Sequence, residues 1–534
     1  MTRNWQSWPR ELGRKAIGSP LASLLVLTAI AVCFYVVAYP FLVVRYPPIT
    51  DLPFHGASTS IFRHYFDRSW HFREQFSFHL LQVPYWTQYT LGAVFALFMS
   101  IVSATKASAI VMLALLPAGL AVMFHGMRKS PLLGLLALPL VWNTLTHWGF
   151  LSFMGAIGLF AMVIGLTLMV LDRPTRQRQV ALAVVLLLVY ATHIFRFPFA
   201  LAAVVGTTLM MLPATRRWKP VLLPLVPSLV ALGVWLVVRE KELSTQAMAP
   251  LKLHWDRLAQ IDGFLFNGFV GPEERALAHR TYWVCAAVAA INFVSFFVER
   301  RWRGLKSRDA WWIVGSHVSV LCVTLVFFAM YLALPMEIGI WWYVYPREIV
   351  IAILIGIGLV PDLPKPSWAK VPALAAISFV TISQAFFVAK SFAAFDTATE
   401  DFDRIIQQIP KAPKLGYMVF DHQGSNRSTT PFIHLPAWVQ ATRGGWLSFH
   451  FVGWGANPIQ YRKASADVPP PTPIRFEWMP EHFDVATRGK FFDWFLVRSV
   501  YSPEPRFKVD STIRLVDHMG TWWLFHRESA PAKP

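Results

Sequence analysis

The chain has 534 residues, of which 55% are hydrophobic and 15% are charged, and it combines a formal net charge of +19 with a mean hydropathy of +0.44. About ten long apolar runs lie between residues 17 and 392, and a run of roughly 18–25 apolar residues is long enough to cross a bilayer core. No soluble fold of this length needs such repeated runs. Composition therefore excludes a soluble protein and indicates a polytopic α-helical membrane protein, because only helices and closed barrels satisfy backbone polar groups in lipid.

The positive charge is concentrated in short loops between the apolar runs, which argues against nucleic acid as a partner. The basic residues of these loops are Arg128, Lys129, Arg173, Arg176, Arg178, Arg216, Arg217, Lys219, Arg300, Arg301, Arg303, Lys306 and Arg308. Loops rich in Lys and Arg face the cytoplasm, and the basic N-terminal segment 1–16 is predicted to do the same. The run 17–44 is too long for a signal peptide and lacks a cleavage site, so it is predicted to be an uncleaved first span.

The apolar run 89–102 determines how the chain is threaded through the bilayer. Counted as a full span, it puts the basic loops on opposite sides of the membrane, whereas as a helix at the outer surface it brings all of them into the cytoplasm. We therefore predict about eleven transmembrane helices in a transmembrane domain over residues 17–395, with outward loops at 45–106 and 239–277. After the first span, the predicted spans are 107–124, 131–147, 150–171, 179–197, 198–213, 220–238, 278–298, 311–334, 347–361 and 371–392.

The C-terminal segment 396–534 contains no apolar run of membrane length. An odd number of spans places it on the extracytoplasmic side. A helix is predicted at 401–408, and strands are predicted at 415–420, 492–497 and 522–526. The predicted fold is therefore an all-α polytopic membrane bundle with a C-terminal extracytoplasmic α/β domain.

Polar groups are concentrated in the segment Ile49-Thr50-Asp51-Leu52-Pro53-Phe54-His55-Gly56, directly after the first span. A carboxylate at the membrane surface can act as a general base or hold a divalent cation. His55 lies four residues after Asp51 and shares its helical face if a helix begins there. Pro53 suits the first turn of such a helix, with Thr50 or Asp51 as its N-cap. The alternative is that Asp51 only caps an interfacial helix.

Other polar and aromatic residues stand at the outer ends of separate predicted spans. They are Asn143, His147, His193, Arg196, Trp342, Tyr343 and Arg347. Ionisable residues at membrane depth usually line a cavity or pathway. Each has an alternative role, because histidines also pack, arginines snorkel and aromatic rings form interfacial belts. Because these residues lie at the same end of the predicted spans, we predict that they share one outward pocket with Asp51 and His55. Trp342 and Tyr343 can stack against a sugar ring in this pocket.

This arrangement resembles the GT-C superfamily of membrane glycosyltransferases. Its members have a first span, a large outward loop that opens with an acidic residue, interfacial helices, many further spans and often an exported C-terminal domain. The resemblance is carried by Thr50-Asp51-Leu52-Pro53-Phe54-His55, by the surface helix that ends near Val102, and by the segment after Asp396. It covers the whole chain as architecture, whereas its sequence motif is short and degenerate.

The resemblance implies roles for two residues. Asp51 would be the catalytic or metal-associated carboxylate, which makes Mg²⁺ or Mn²⁺ the expected cofactor if a metal is used, and Arg347 would contact a lipid-linked phosphate. Many members place two acidic residues together at this point, whereas Asp51 has no acidic neighbour. The alternatives are a second carboxylate from elsewhere, a metal-free site or lost catalysis. The candidates for the second carboxylate are Asp67, Glu240 and Glu242.

The function implied by the resemblance is an inverting glycosyltransferase on the non-cytoplasmic face of a bacterial-type inner membrane. A polyprenyl-phosphate sugar would be the donor, its phosphate near Arg347 or Arg196, and a glycan, a lipid or a protein the acceptor. One alternative is a non-enzymatic transporter or assembly scaffold for lipid or polysaccharide, and another is an acyltransferase that uses His147. A transporter should have broken helices and charges near mid-bilayer. Here the polar residues gather at one end of the spans, which favours an interfacial enzyme.

Overall fold

The computed structural model describes residues 20–239, 252–301, 305–339, 341–423, 427–454, 457–463, 465–473 and 475–528. Several predictions fall outside these ranges. They concern the cytoplasmic segment 1–16, the start of the first span at 17–19, Glu240, Glu242 and Arg303.

Long helices dominate the described chain, and we number the α-helices of six or more residues. They are α1 (Pro20–Leu42), α2 (Leu52–His64), α3 (Thr87–Phe95), α4 (Ile101–Gly126), α5 (Leu151–Asp172), α6 (Arg176–Thr192), α7 (Phe197–Met210), α8 (Lys219–Val238), α9 (Pro272–Val298), α10 (Ser307–Ala333), α11 (Val344–Gly356), α12 (Ser367–Ala398), α13 (Glu400–Ile405) and α14 (Ala437–Arg443). Within the described ranges, seven are long and apolar enough to cross a membrane, namely α1, α4, α5, α8, α9, α10 and α12. Each of the seven corresponds to a predicted span.

The other four predicted spans are shorter or interrupted in the structure. Helices α6, α7 and α11 have 17, 14 and 13 residues. The predicted span 131–147 is a 3-10 helix over Pro131–Leu140 followed by a short α-helix over Thr144–Trp148. Pro139 lies inside this stretch and has no backbone N–H to donate, and the Asn143 side chain accepts a hydrogen bond from the Thr146 N–H and so caps the start of the short helix. The number of eleven spans stays a prediction.

The bundle has two chemically different ends. At one, which we term the basic end, loops predicted to share a side of the membrane meet. The Arg128 guanidinium lies 2.8 Å from the carboxylates of both Asp172 and Asp309. At the opposite end, which we term the site end, the Asp51 N–H donates to the carbonyl of Trp148 at 3.0 Å. Helix α3 has nine residues and covers only positions 89–95 of the apolar run 89–102, and α4 starts at Ile101.

The C-terminal region folds around a five-stranded sheet of order β3-β2-β5-β7-β6. Its strands are β2 (Lys414–Val419), β3 (Trp446–Leu447), β5 (Trp494–Arg498), β6 (Ile513–Met519) and β7 (Trp522–Arg527), while β1 (Phe76–Phe78) and β4 (Ile459–Tyr461) form a separate pair. Strand β2 is parallel to both of its neighbours, and β7 is antiparallel to both of its own. The three predicted strands are β2, β5 and β7, which hold the middle of the sheet. Its edge strands β3 and β6 are short or largely exposed and were not predicted.

Several contacts fix this C-terminal domain over the site end. Strand β1 of the outward loop pairs with β4 of the domain. The Arg45 N–H donates to Asp396 at 2.8 Å, and the Tyr46 hydroxyl donates to Asp403 at 3.1 Å. Helix α2 packs on α14 so closely that a Cβ on Gly56 would overlap the Trp438 ring. The fold class is thus confirmed as a helical membrane bundle with a small C-terminal α/β domain.

Candidate functional site

Asp51 is the residue that precedes α2, and its carboxylate does not cap that helix. The side chain makes no capping hydrogen bond, although Pro53 occupies the first turn as predicted. Instead, Oδ1 lies 3.1 Å from Nδ1 of His434 in the C-terminal domain. Gly149 faces Asp51 with a φ of +103°, and a Cβ there would stand 2.7 Å from the Asp51 Cβ. The close approach requires glycine, and capping does not account for the position of the carboxylate.

His434 is a buried residue that Asp51 can orient. Its ring lies against Phe54, with centroids 4.6 Å apart, and against Phe451 at 5.1 Å. Nε2 is buried and has no hydrogen-bond partner among the described residues. A carboxylate that accepts the Nδ1 proton fixes the imidazole tautomer and leaves the lone pair on Nε2. Asp51 and His434 therefore constitute one polar unit across the junction between the bundle and the C-terminal domain.

A second carboxylate near this unit comes from Glu477. Burial raises the pKa of Glu477 and the Asp51 charge acts in the same direction, while a backbone hydrogen bond and His434 oppose the shift. Among the alternatives considered from sequence, Asp67 instead accepts hydrogen bonds from Ser69 at the start of a 3-10 turn. Glu477 lies 426 positions after Asp51 in the chain, and its charge interacts with that of Asp51.

His55 contacts the same junction through both ring nitrogens. Nε2 lies 2.9 Å from the Gly149 carbonyl and Nδ1 lies 3.2 Å from the Tyr89 hydroxyl. Burial lowers the pKa of His55, and this outweighs the opposing effects of the Gly149 hydrogen bond and the Asp51 charge. A neutral His55 donating to Gly149 would hold the turn that faces Asp51, so the ring positions the site rather than carrying charge.

Arg347 offers a positive charge next to this turn. Its Nε and Nη2 donate to the carbonyls of Tyr343 and Trp342 at 3.1 and 2.9 Å, and the guanidinium lies over the Phe150 ring at 4.2 Å. Tyr343 has a φ of 63°, which is unusual for an aromatic residue and turns the chain around Arg347. Within the described ranges, Arg347 forms no ion pair with a carboxylate. Its charge is therefore available to an anion.

Arg196 and His193 lie beside Arg347 but already have partners. Arg196 makes a bidentate pair with Glu348 at 2.7 and 2.5 Å, and the two side chains are 8% and 1% exposed. His193 lies 2.8 Å from the Tyr85 hydroxyl. Of the two arginines predicted as phosphate contacts, Arg347 is the one that has no carboxylate partner among the described residues.

His147 is a buried packing residue, whereas Trp342 lies at the surface. The His147 ring is fully buried, lies 2.5 Å from Arg427 and meets Phe269 edge to face at 5.0 Å. None of its described ring contacts is with Asp51, His55 or Arg347. Trp342 is 39% exposed, and its ring meets Trp148 at 5.2 Å. Since the Trp148 carbonyl binds the Asp51 N–H, an open aromatic surface lies next to Asp51, while Tyr343 is buried.

Metal ligands do not converge at this junction. Across the part of the chain that the structure describes, no group of three or more His, Cys, Asp or Glu side chains is arranged to hold an ion. Mg²⁺ is commonly held by only one or two carboxylates together with water and substrate phosphates, so Mg²⁺ or Mn²⁺ at Asp51 stays a prediction. The reaction proposed below is written with Asp51 as its base.

The residues missed from sequence all come from distant parts of the chain. His434 and Glu477 lie in the C-terminal domain, 383 and 426 positions after Asp51, so no local spacing in the sequence relates them to it. A high content of His and Trp in this domain was the one available signal. It indicated polar function without indicating which residues face the bundle.

The comparisons with known proteins address the fold. No protein-family model and no curated protein sequence matches the chain. The chain is similar to the crystal structure of ArnT from Cupriavidus metallidurans bound to undecaprenyl phosphate, with a TM-score of 0.53 and 13% identity over 96% of this chain and 99% of that one. ArnT is a GT-C glycosyltransferase. At this identity the likeness shows the fold, so the chain is a multi-pass membrane protein with a GT-C-like fold, as the sequence resemblance implied.

Proposed function

We propose that this protein is a membrane glycosyltransferase that moves a sugar from a polyprenyl-phosphate donor to an acceptor on the non-cytoplasmic face of a bacterial-type inner membrane. The observation that carries the proposal is the 3.1 Å contact between Asp51 and His434. A carboxylate that is not used as a helix cap, and is held by a buried imidazole beside an unpaired arginine, suits acid–base work on a charged substrate.

Asp51 acts as the base in the proposed reaction. It takes the proton of the acceptor hydroxyl while the acceptor oxygen forms a bond to the anomeric carbon of the sugar. The bond from that carbon to the phosphate oxygen breaks, and polyprenyl phosphate leaves with the electron pair. Attack from the side opposite the leaving group inverts the anomeric centre. His434 is a positioning residue here, because it acts on the substrate through Asp51.

Arg347 binds the donor phosphate in this scheme. A guanidinium and a phosphate form a charge-assisted hydrogen bond, and Arg347 lies at the same end as Asp51 without a carboxylate partner. The similarity to a protein whose structure holds undecaprenyl phosphate favours a polyprenyl carrier. Trp342 and Trp478 both contact the Trp148 ring, are 39% and 41% exposed, and offer ring faces to a sugar.

The experiment that tests the proposal replaces Asp51 by Asn. Loss of general-base assistance lowers rates by roughly 10²–10⁴, while the amide keeps the shape of the carboxylate and its contact with His434. We expect the variant to insert normally and its sugar donor to accumulate. Mass spectrometry of glycans and lipid-linked sugars from cells with wild-type or variant protein measures both, and identifies the sugar.

The matched control is Asp493→Asn, which makes the same charge change at an exposed position of the C-terminal domain and should leave the glycans unchanged. Unaltered glycans in the Asp51→Asn cells would remove the catalytic assignment. They would favour the alternative of a non-enzymatic transporter or assembly scaffold for lipid or polysaccharide.

A further inference from the structure

A cavity that is separate from the Asp51 junction lies between the outward loop and the C-terminal domain. It has a volume of about 430 Å³ and is lined by Tyr65, Phe66, Arg68, Arg73, Glu74 and Arg462. Within the described ranges, none of the three arginines forms an ion pair with a carboxylate. The acidic residue of the lining, Glu74, lies 3.5 Å from His71 instead. Three guanidinium groups therefore surround one cavity with a single carboxylate among them.

Membrane topology does not account for this cluster. Arginines at the basic end follow from the rule that cytoplasmic loops are rich in Lys and Arg. Arg68 and Arg73 belong to the outward loop, and Arg462 follows strand β4 of the C-terminal domain. The cluster thus lies at the end of the bundle where that rule predicts no excess of positive charge. A ligand with negative charge is a physical reason for bringing these groups together.

The geometry of the cavity is set in advance by hydrogen bonds. The pairing of β1 with β4 brings Arg462 against the loop. Its Nε donates to the Arg73 carbonyl at 2.7 Å and its Nη2 donates to the Tyr65 hydroxyl at 3.2 Å. The Tyr65 hydroxyl in turn donates to the Phe76 carbonyl at 3.0 Å. A fixed guanidinium loses less entropy when it binds an oxyanion, which strengthens binding.

The cavity is distinct from the catalytic junction. Helix α2 has 13 residues between Asp51 and Tyr65, and a rise of 1.5 Å per residue separates its ends by roughly 20 Å. Phe66, at the rim of the cavity, is 82% exposed. A cationic cavity with an exposed aromatic ring beside it suits a ligand that has a charged head and an apolar part.

We propose that this cavity binds the phosphate headgroup of an anionic lipid at the membrane surface. Arginine recognises phosphate by paired N–H donors, and the Phe66 ring can contact the acyl-chain boundary beside the headgroup. The proposal does not depend on glycosyl transfer, so the Asp51→Asn protein should bind the lipid as the wild type does.

The test is calorimetric titration of the full-length protein in detergent with three probes, which are dihexanoyl phosphatidylglycerol, dihexanoyl phosphatidylcholine and inorganic pyrophosphate. We expect phosphatidylglycerol to bind at least tenfold more tightly than phosphatidylcholine. Arg68→Gln and Arg73→Gln should each weaken this binding about tenfold, the loss expected for one charge-assisted hydrogen bond. Arg462 is left intact because it also joins the loop to the C-terminal domain.

The control is Arg173→Gln at the basic end, where the side chain is 81% exposed. It should bind phosphatidylglycerol like the wild type, which assigns the signal to the proposed cavity. Equal binding of the two lipids, or a loss in Arg173→Gln without a loss in Arg68→Gln and Arg73→Gln, would overturn the proposal. Pyrophosphate binding as tight as that of phosphatidylglycerol would overturn the lipid as the source of the phosphate.

Discussion

The two ends of the bundle use charge in opposite ways. At the basic end, Arg128 is shared between Asp172 and Asp309, and these side chains are 39%, 24% and 43% exposed. At the site end, Arg196 and Glu348 form a pair that is 8% and 1% exposed. Water screens the first set, so it contributes little to stability. The second set is desolvated, so each partner depends on the other.

Unpaired buried groups, in contrast, occur at both ends. Buried side-chain atoms without a hydrogen-bond partner within the described ranges include Nε2 of His434 and Nε2 of His450 at the site end, and Nε1 of Trp312 beneath the Arg128 guanidinium at the basic end. Buried polar groups are normally satisfied, and an exception requires a reason such as a catalytic role or a bound molecule. The two ends therefore differ in the burial of their ion pairs and not in the presence of unpaired atoms.

The largest expected effect separates the two kinds of ion pair. Glu348→Gln leaves the Arg196 charge buried without a counterion, which costs about 3–5 kcal/mol. Asp309→Asn, its control at the basic end, removes one partner of an exposed pair and should cost about 0–1 kcal/mol. Thermal unfolding in detergent measures both. Equal shifts of the melting temperature would show that the two ends do not differ in this way.

A smaller effect is expected for Arg347, which has no carboxylate partner among the described residues at the site end. Arg347→Ala should raise the KM for the donor roughly tenfold, because a hydrogen bond between charged groups is worth about 1.5–3 kcal/mol, and it should leave kcat nearly unchanged. Arg347→Lys keeps the charge and loses the planar fork, so an intermediate KM is expected. Steady-state kinetics with the donor identified from Asp51→Asn cells measures these values. A fall in kcat at constant KM would contradict a role in phosphate binding.

The contrast also explains what the sequence could reveal. Long apolar runs and basic loops are local signals, and they suffice for the helical bundle and for the seven long helices. The predicted span 131–147 failed as one α-helix because Pro139 lacks an N–H and Asn143 caps a new short helix, while the apolar run continues through both positions. The central strands were predicted because buried strands leave continuous apolar stretches, whereas β6 is largely exposed and lacks that signal.

The sequence revealed only part of the candidate site, because its signals are local. Asp51, His55 and Arg347 stand beside predicted spans, where polar residues are conspicuous against an apolar background. His434 and Glu477 stand in a domain of mixed composition, and the contact of His434 with Asp51 joins residues 383 positions apart. Local spacing in the sequence predicts contacts within one helix or strand. The contact between Asp51 and His434 depends instead on the packing of the C-terminal domain on α2.

The smallest expected effect concerns the acid sensitivity that a buried histidine at the site end contributes. His450 lies against Phe54 of α2, with ring centroids 5.0 Å apart. Burial lowers the pKa of His450 to about 3, and the nearby His434 and His55 act in the same direction. Below about pH 6.5 the unfolded chain therefore takes up a proton that the folded protein does not, so stability falls as the pH falls, by at most about 1.4 kcal/mol per pH unit. Between pH 6.5 and 5 the contribution of His450 should reach about 1.6 kcal/mol. His450→Gln should remove this contribution and leave that of His55, whose pKa burial also lowers. Melting temperatures across this range provide the measurement, and an acid dependence as steep in His450→Gln as in the wild type would contradict the prediction.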